Sequence, residues 1–263
     1  GILATNLTTR QVNTWLTGLD LKDSTRRKCR AVLVSALSWA ETDGLVSRNA
    51  ARASKVTARE RVTESAFLTV EECNRLREHV KGNRLEPLVL LALGAGLRRG
   101  ELLGLTWSEV NLDAASVTVR RALTYDQEGK TVLSDPKTEK SARVAHVLPF
   151  AIEALRRHWH ALDVIPLDKS EALVFTSTAG TPLDPNNLGR DFANLTEGAG
   201  IGRRHVHELR HGYAKEMLRQ GVPLHVVSKQ LGHASIVITA DIYGHAEATE
   251  SDALLAAGAT AFG

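Results

Sequence analysis

Within HVHELRHGYA, residues 205–214, the run His207-Glu208-Leu209-Arg210-His211 spells H-E-x-x-H. On a helix these two histidines stand one turn apart on one face, able to offer two ring nitrogens to a tetrahedral zinc while the glutamate activates its water. A zinc hydrolase also needs a third protein ligand, commonly a glutamate one helix later or a third histidine in a longer run. Met217 stands where that longer run needs its last histidine, and residues 217–240 contain no Asp or Glu. His225 or His233 remain as third ligands. Against them, Arg210 shares the turn with the first two, and a fixed cation repels a dication in a dry site.

The same letters also read as H-x-x-R. A guanidinium presents a planar fork suited to two phosphate oxygens, and a histidine one turn back can hydrogen-bond or move a proton, so His207 and Arg210 form a phosphate-handling pair. A second fork is Arg98 in GAGLRRGELLGLTW, just past a glycine-rich break, with Glu101 three residues on to orient it. Lys137 in DPKTEKSARV adds a third cation on a turn between expected strands. LGHASIVITADIYGH then supplies His233, after a glycine that ends a helix, and Tyr243 about one short helix later.

These residues need a scaffold, and the pattern of apolar positions sketches one. TTRQVNTWLTGL places Val12, Trp15, Leu16 and Leu19 on one stripe behind a Thr cap; STRRKCRAVLVSALSWAETDGL places Cys29, Leu33, Ala36, Leu37 and Ala40 on another behind Ser24. The second helix opens with Arg26, Arg27, Lys28 and Arg30, cations at the helix end whose dipole disfavours them, which points to phosphate contacts. SKVTARERVTES lacks apolar periodicity and reads as a linker. The expected division is a helical domain at 1–58, a linker at 59–66, a second domain at 67–249 and a tail at 250–263. In the second domain, LTVEECNRLREHV is a capped helix and EPLVLLALGAGLRRGELLGLTWSEVNL two helices broken around Gly94 and Gly96. VTVRRAL, KTVLSD and ARVAHVLP suit a small three-stranded antiparallel sheet, and helices follow from AIEALRRHWHAL onward. The fold class is therefore mainly α with a small antiparallel β-sheet.

Composition is compatible with this division. The 263 residues, 43% hydrophobic and 24% charged, suffice for two modest cores, and no apolar run is long enough to span a bilayer. Neither that nor a signal-peptide pattern is visible, so a cytoplasmic location is expected. Cys29 and Cys73 are expected as reduced core thiols. Net charge is only +3, but residues 1–64 hold 11 Lys/Arg against 6 Asp/Glu, leaving 22 against 24 for the remainder. The front is the basic end, as a nucleic-acid-facing surface would be.

GLRRGEL, PKT, HELRH, LGH and ITADIYGH, in that order and spacing, resemble the successive motifs of the tyrosine recombinase (phage integrase) family over about residues 67–246. Residues 8–54 resemble that family's small helical core-site-binding domain. The resemblance implies a catalytic set of Arg98, Lys137, His207, Arg210, His233 and the nucleophile Tyr243, supported by Glu101, with no metal and no cofactor. Glu208 departs from the Asp that many members carry. A site-specific DNA recombinase is implied, acting through a 3′-phosphotyrosyl link on double-stranded core sites as a homotetramer that passes through a Holliday junction. DNA-bending or directionality factors, a bacterial nucleoid setting and, ahead of Gly1, an arm-site-binding domain also belong to that picture. The alternatives are a type IB topoisomerase, which reseals the original strand, a zinc hydrolase and a noncatalytic DNA-binding protein. The tail EATESDALLAAGATAFG, with Ala253, Leu254, Leu255, Ala257 and Phe262, is expected to dock on a neighbouring protomer.

Overall fold

The computed structural model describes residues 1–57, 67–134, 142–162 and 172–233. The chain divides into two compact units, Gly1–Ser65 and Ala66–Gly263. Lys137, Tyr243, the expected linker and the 250–263 tail lie outside the described residues.

The first unit is built on α1 (Thr9–Gly18) and α2 (Asp23–Thr42). Thr8 and Gln11 form a reciprocal cap on α1, satisfying two backbone N–H groups that the helix leaves over. Val12, Leu16, Leu37 and Ala51 form the core, flanked by Leu19, Leu33 and Val34, while Trp15 and Ala36 are exposed and Cys29 is half-buried. The expected stripes are thus narrower than drawn. Helix α2 begins one residue ahead of Ser24, and Asp23 in its first turn offsets part of the basic run at that end.

That run does not face solvent as a whole. Arg26 is fully buried, bonded to Asp23 and donating to the Thr57 carbonyl at 3.0 Å. Arg30 donates from Nε to the Ser54 carbonyl at 2.8 Å and from Nη2 to the Arg52 carbonyl at 2.9 Å. Both brace the segment after α2, whose polar backbone needs donors. The expectation that all four cations project outward is corrected accordingly: Arg27 and Lys28 are the exposed ones.

Among the described residues the second unit has seven α-helices and five short strands arranged around one core helix. α3 (Val70–His79) is capped by Thr69 and Glu72, and α4 (Glu86–Ala95) is buried from Leu88 through Ala95. α4 packs so tightly on α6 (Pro149–His160) that a Cβ at Gly94 would stand 2.5 Å from the Ala151 Cβ. Gly94 therefore lies within the helix, and the break comes at Gly96, which ends it in the left-handed conformation at φ 65°. α5 (Arg99–Gly104) follows at once. WSEVNL is not helical: a 3-10 turn, Trp107–Glu109, leads into strand β1 (Val110–Asn111).

The expected single sheet is two. β2 (Ser116–Val119) pairs antiparallel with β1 and with β5 (Arg143–His146), aligning the buried Val117 and Ala145. β3 (Ala122–Tyr125) and β4 (Thr131–Ser134) form a separate antiparallel ribbon with Leu123 opposite Leu133. Glycines on α5 set its place: a Cβ at Gly100 would lie 2.9 Å from the Leu123 carbonyl oxygen, and one at Gly104 3.0 Å from the Leu123 nitrogen. The ribbon backbone rests directly on that helix, so β3 leaves the line of β2. α7 (Pro185–Gly198), α8 (Val206–Arg219) and α9 (Leu224–Leu231) complete the unit.

Mainly α with small antiparallel sheets is the observed class. Among the described residues no helix is long and apolar enough to cross a membrane. Both cysteines are unbridged and half-buried, and burial pushes the Cys73 thiol up to about 11.

Candidate active site

Three chain turns meet at one place: the end of α4, the start of α8 and the end of α9. Arg210 on α8 is 2% exposed, with Nη1 donating to the Gly96 carbonyl and Nη2 to the Leu231 carbonyl, both at 2.8 Å. Arg98, on the residue before α5, donates from Nη2 to the next carbonyl, that of Gly232, at 2.9 Å. Two guanidinium groups therefore take consecutive carbonyls at the C-terminus of α9, where the leftover acceptors and the negative end of the helix dipole favour cations. Gly96 and Gly232 are both left-handed, at φ 65° and 67°, and each lets the chain turn sharply toward the pair.

Glu101 orients Arg98 as its i+3 spacing suggests. It accepts from the Arg98 backbone N–H and from Nη1, each at 2.8 Å. A further arginine, absent from the motif reading, clamps the same carboxylate: Arg143 on β5 donates to both Glu101 oxygens at 3.0 and 2.8 Å. Held between two guanidinium groups, the Glu101 carboxyl titrates far down, at about 2, the bonds to Arg143 and Arg98 overcoming the cost of its burial. Gln230 completes the support, donating to the Ala95 and His146 carbonyls and accepting from the His146 N–H.

His233 follows Gly232 directly, and His207 stands one turn before Arg210. Burial, then Arg210, Arg98 and Arg143, lower His233 to about 4; burial, then His211, Arg210 and Arg98, do the same for His207. His207 is exposed as a residue, so its ring is reachable. Both imidazoles are neutral at pH 7 in the field of a cationic cluster, a field that an incoming anion would offset.

Arg98, Arg210, His207, His233 and Glu101 are thus brought together, whereas Lys137 and Tyr243 fall outside the described residues. Arg27 and Lys28 belong to the other unit. In the H-E-x-x-H run the side chains are engaged with their neighbours. His207 and His211 meet edge to face with ring centroids 4.6 Å apart, and Glu208 accepts from the His205 N–H as a helix cap and pairs with Arg204. Among the described residues no three His, Cys, Asp or Glu side chains form a metal-binding group.

Residues 66–250 match the model of the phage integrase family. The chain is 34% identical over 234 residues to a XerC-like tyrosine recombinase of Caldanaerobacter subterraneus subsp. tengcongensis, covering 81% of this chain and 60% of that protein. It is 27% identical over 250 residues to an integrase of Streptomyces ambofaciens, covering 90% and 64%. The chain therefore spans about three fifths of the length of these curated relatives. Among solved structures, the Tn1549 transposon integrase in complex with a circular intermediate DNA superposes with TM-score 0.82 at 18% identity, over 95% of this chain and 85% of that one. A lambda integrase dimer bound to a COC′ core site gives 0.65 at 19% identity, over 91% and 65%. At such identities the structural likeness establishes the fold.

Proposed function

From the premise that this chain belongs to the phage integrase family of tyrosine recombinases, we propose that it is a site-specific recombinase that cuts and rejoins DNA through Tyr243. The observation that carries this reading is the convergence of Arg98 and Arg210 on consecutive carbonyls beside His233, with His207 alongside. Attack on a phosphodiester builds negative charge on the nonbridging oxygens, and preorganised donors in a sheltered site stabilise that charge strongly. The guanidinium groups and the two imidazoles supply such donors without a metal ion.

In the proposed reaction the Tyr243 hydroxyl oxygen bonds to phosphorus while the bond from phosphorus to the 5′ oxygen breaks. His207, neutral at pH 7, takes the phenolic proton, and Lys137 gives a proton to the departing oxygen. The resulting 3′-phosphotyrosyl link conserves the energy of the phosphodiester, so resealing needs no nucleotide. When the incoming 5′ hydroxyl belongs to another duplex, cleavage becomes strand exchange, carried out by four protomers on two core sites through a Holliday junction. Arg27 and Lys28 contact backbone phosphates, accessory bending or directionality factors set the outcome, and the work takes place at the bacterial nucleoid in the cytoplasm. The test is incubation of two labelled duplexes carrying the element's end sequences in EDTA. Joined strands from different duplexes are expected; resealing of parental strands alone would favour a topoisomerase.

A further inference from the structure

Arg143 stands at the first position of β5 and takes no part in the motif set, yet its fork is fully committed beside the site. Besides the two bonds to Glu101, its Nε donates to the Gln230 carbonyl at 2.9 Å. Gly232 lies against it: a Cβ there would stand 2.6 Å from Nη1 and 2.7 Å from the guanidinium carbon. The strand, the carboxylate and the end of α9 are therefore joined through one side chain.

Charge gives this junction its meaning. Arg98 and Glu101 by themselves are a neutral pair, and a neutral pair attracts a phosphate weakly. With Arg143 the trio carries one net positive charge. The side chains of Glu101 and Arg143 are 7% and 11% exposed, whereas that of Arg98 is 42% exposed, so the surplus charge resides on the member open to an approaching anion.

We propose that Arg143 is a positioning residue that neutralises Glu101, so that Arg98 is both held by the carboxylate and left with its full charge for the anion in the site. The carboxylate then supplies orientation without cancelling the cation it orients. Arg143 also ties this arrangement to the carbonyl two residues before Gly232, so that Arg98 and His233 keep one spacing. The proposal rests on the strand-cleavage reading only for the identity of that anion as a DNA phosphate.

The experiment uses the DNA-free chain with inorganic phosphate as the probe, followed through the His233 ring resonance, in wild type, Arg143→Gln, Glu101→Gln and the double variant. Arg143→Gln is expected to weaken phosphate binding about tenfold. Adding Glu101→Gln removes the carboxylate that Arg143 had balanced, and most of that loss should return. His233 should titrate higher in Arg143→Gln and lower again in the double variant, because a cation and then an anion have been taken from its surroundings. A double variant that binds no better than Arg143→Gln, or in which His233 stays high, would reduce Arg143 to a packing role and overturn the proposal. Should Arg143→Gln fail to fold, Arg143→Lys keeps the charge without the fork and must retain most of the affinity; loss of phosphate binding in that folded variant counts equally against it. Since no DNA is involved, correct phosphate ordering in a chain that never attaches to DNA would contradict the proposed function and leave this inference standing.

Discussion

Both units of this chain turn arginines inward onto backbone carbonyls, and they do so to different ends. In the first unit, Arg26 and Arg30 reach the carbonyls of Thr57, Ser54 and Arg52, bracing a loop against α2. In the second, Arg210 and Arg98 reach Leu231 and Gly232, but two histidines of lowered basicity and a partly open guanidinium share the space. An arginine on a carbonyl is thus a strut in one place and, in the proposed reaction, a preorganised donor in the other. What separates them is the company of further cations and of an Arg98 side chain that is 42% exposed.

That difference can be broken by substitution. The largest effect is expected for Arg210→Ala, which removes a cation and strips two buried carbonyls of their donors: cleavage should fall about a thousandfold or more, and stability by about 3 kcal/mol. Arg98→Ala should cost a comparable rate, about a hundred- to a thousandfold, with little change in melting, because its side chain is 42% exposed. Rate assays paired with thermal melts separate the two. If both variants melt alike, the division between buried strut and open donor inside the site is wrong.

Arg26→Ala should behave as the structural counterpart, lowering stability of the first unit by about 3 kcal/mol by removing the buried guanidinium that joins Asp23 to the Thr57 carbonyl. Unfolding measured by intrinsic Trp15 and Trp39 fluorescence reads this out. Smaller still, Arg27→Ala and Lys28→Ala should leave melting unchanged and each reduce the salt dependence of DNA binding by about one unit of slope. An Arg26→Ala protein of normal stability but weakened binding would return that residue to the DNA face.

Acid should also distinguish the units. His207 and His233 are lowered to about 4 from an ordinary 6.5, so the unfolded chain takes up their protons first as pH falls. Stability of the second unit should therefore decline between about 6.5 and 4, with no cost at pH 7. Glu101, at about 2, contributes stability above about 4.5 that is lost below it. Melting curves of His233→Gln across this range should be flatter than those of wild type; equal slopes would mean that the cationic field on His233 is absent.

Local spacing explains which parts could be read ahead of the structure. Arg98 and Glu101 are three residues apart, His207 and Arg210 likewise, and such pairs meet on any helix. The glycine before His233 marked a helix end, and it is one. Arg143 was invisible because its partners, Glu101 and Gln230, lie 42 and 87 residues away. Arg26 escapes a reading of the sequence for a similar reason: four cations within the five residues 26–30 cannot all share one face of a helix, and the loop that takes Arg26 is fixed only by tertiary packing. The single sheet became two because Gly100 and Gly104, two unremarkable glycines inside an expected helix, serve as the bed for β3.

Whether this cationic site serves attack by Tyr243 on a DNA phosphate is read most directly by trapping. A nicked duplex carrying the element's core sequence, whose short 5′-hydroxyl fragment diffuses away after cleavage, is incubated with the chain in EDTA. Denaturing gels then display any attached DNA, and peptide mapping locates it. A denaturation-resistant 3′-linked adduct on Tyr243, missing in Tyr243→Phe although that variant still binds the duplex, is the predicted result. An adduct undiminished in Tyr243→Phe, or cleavage that appears only when zinc is added, would contradict it.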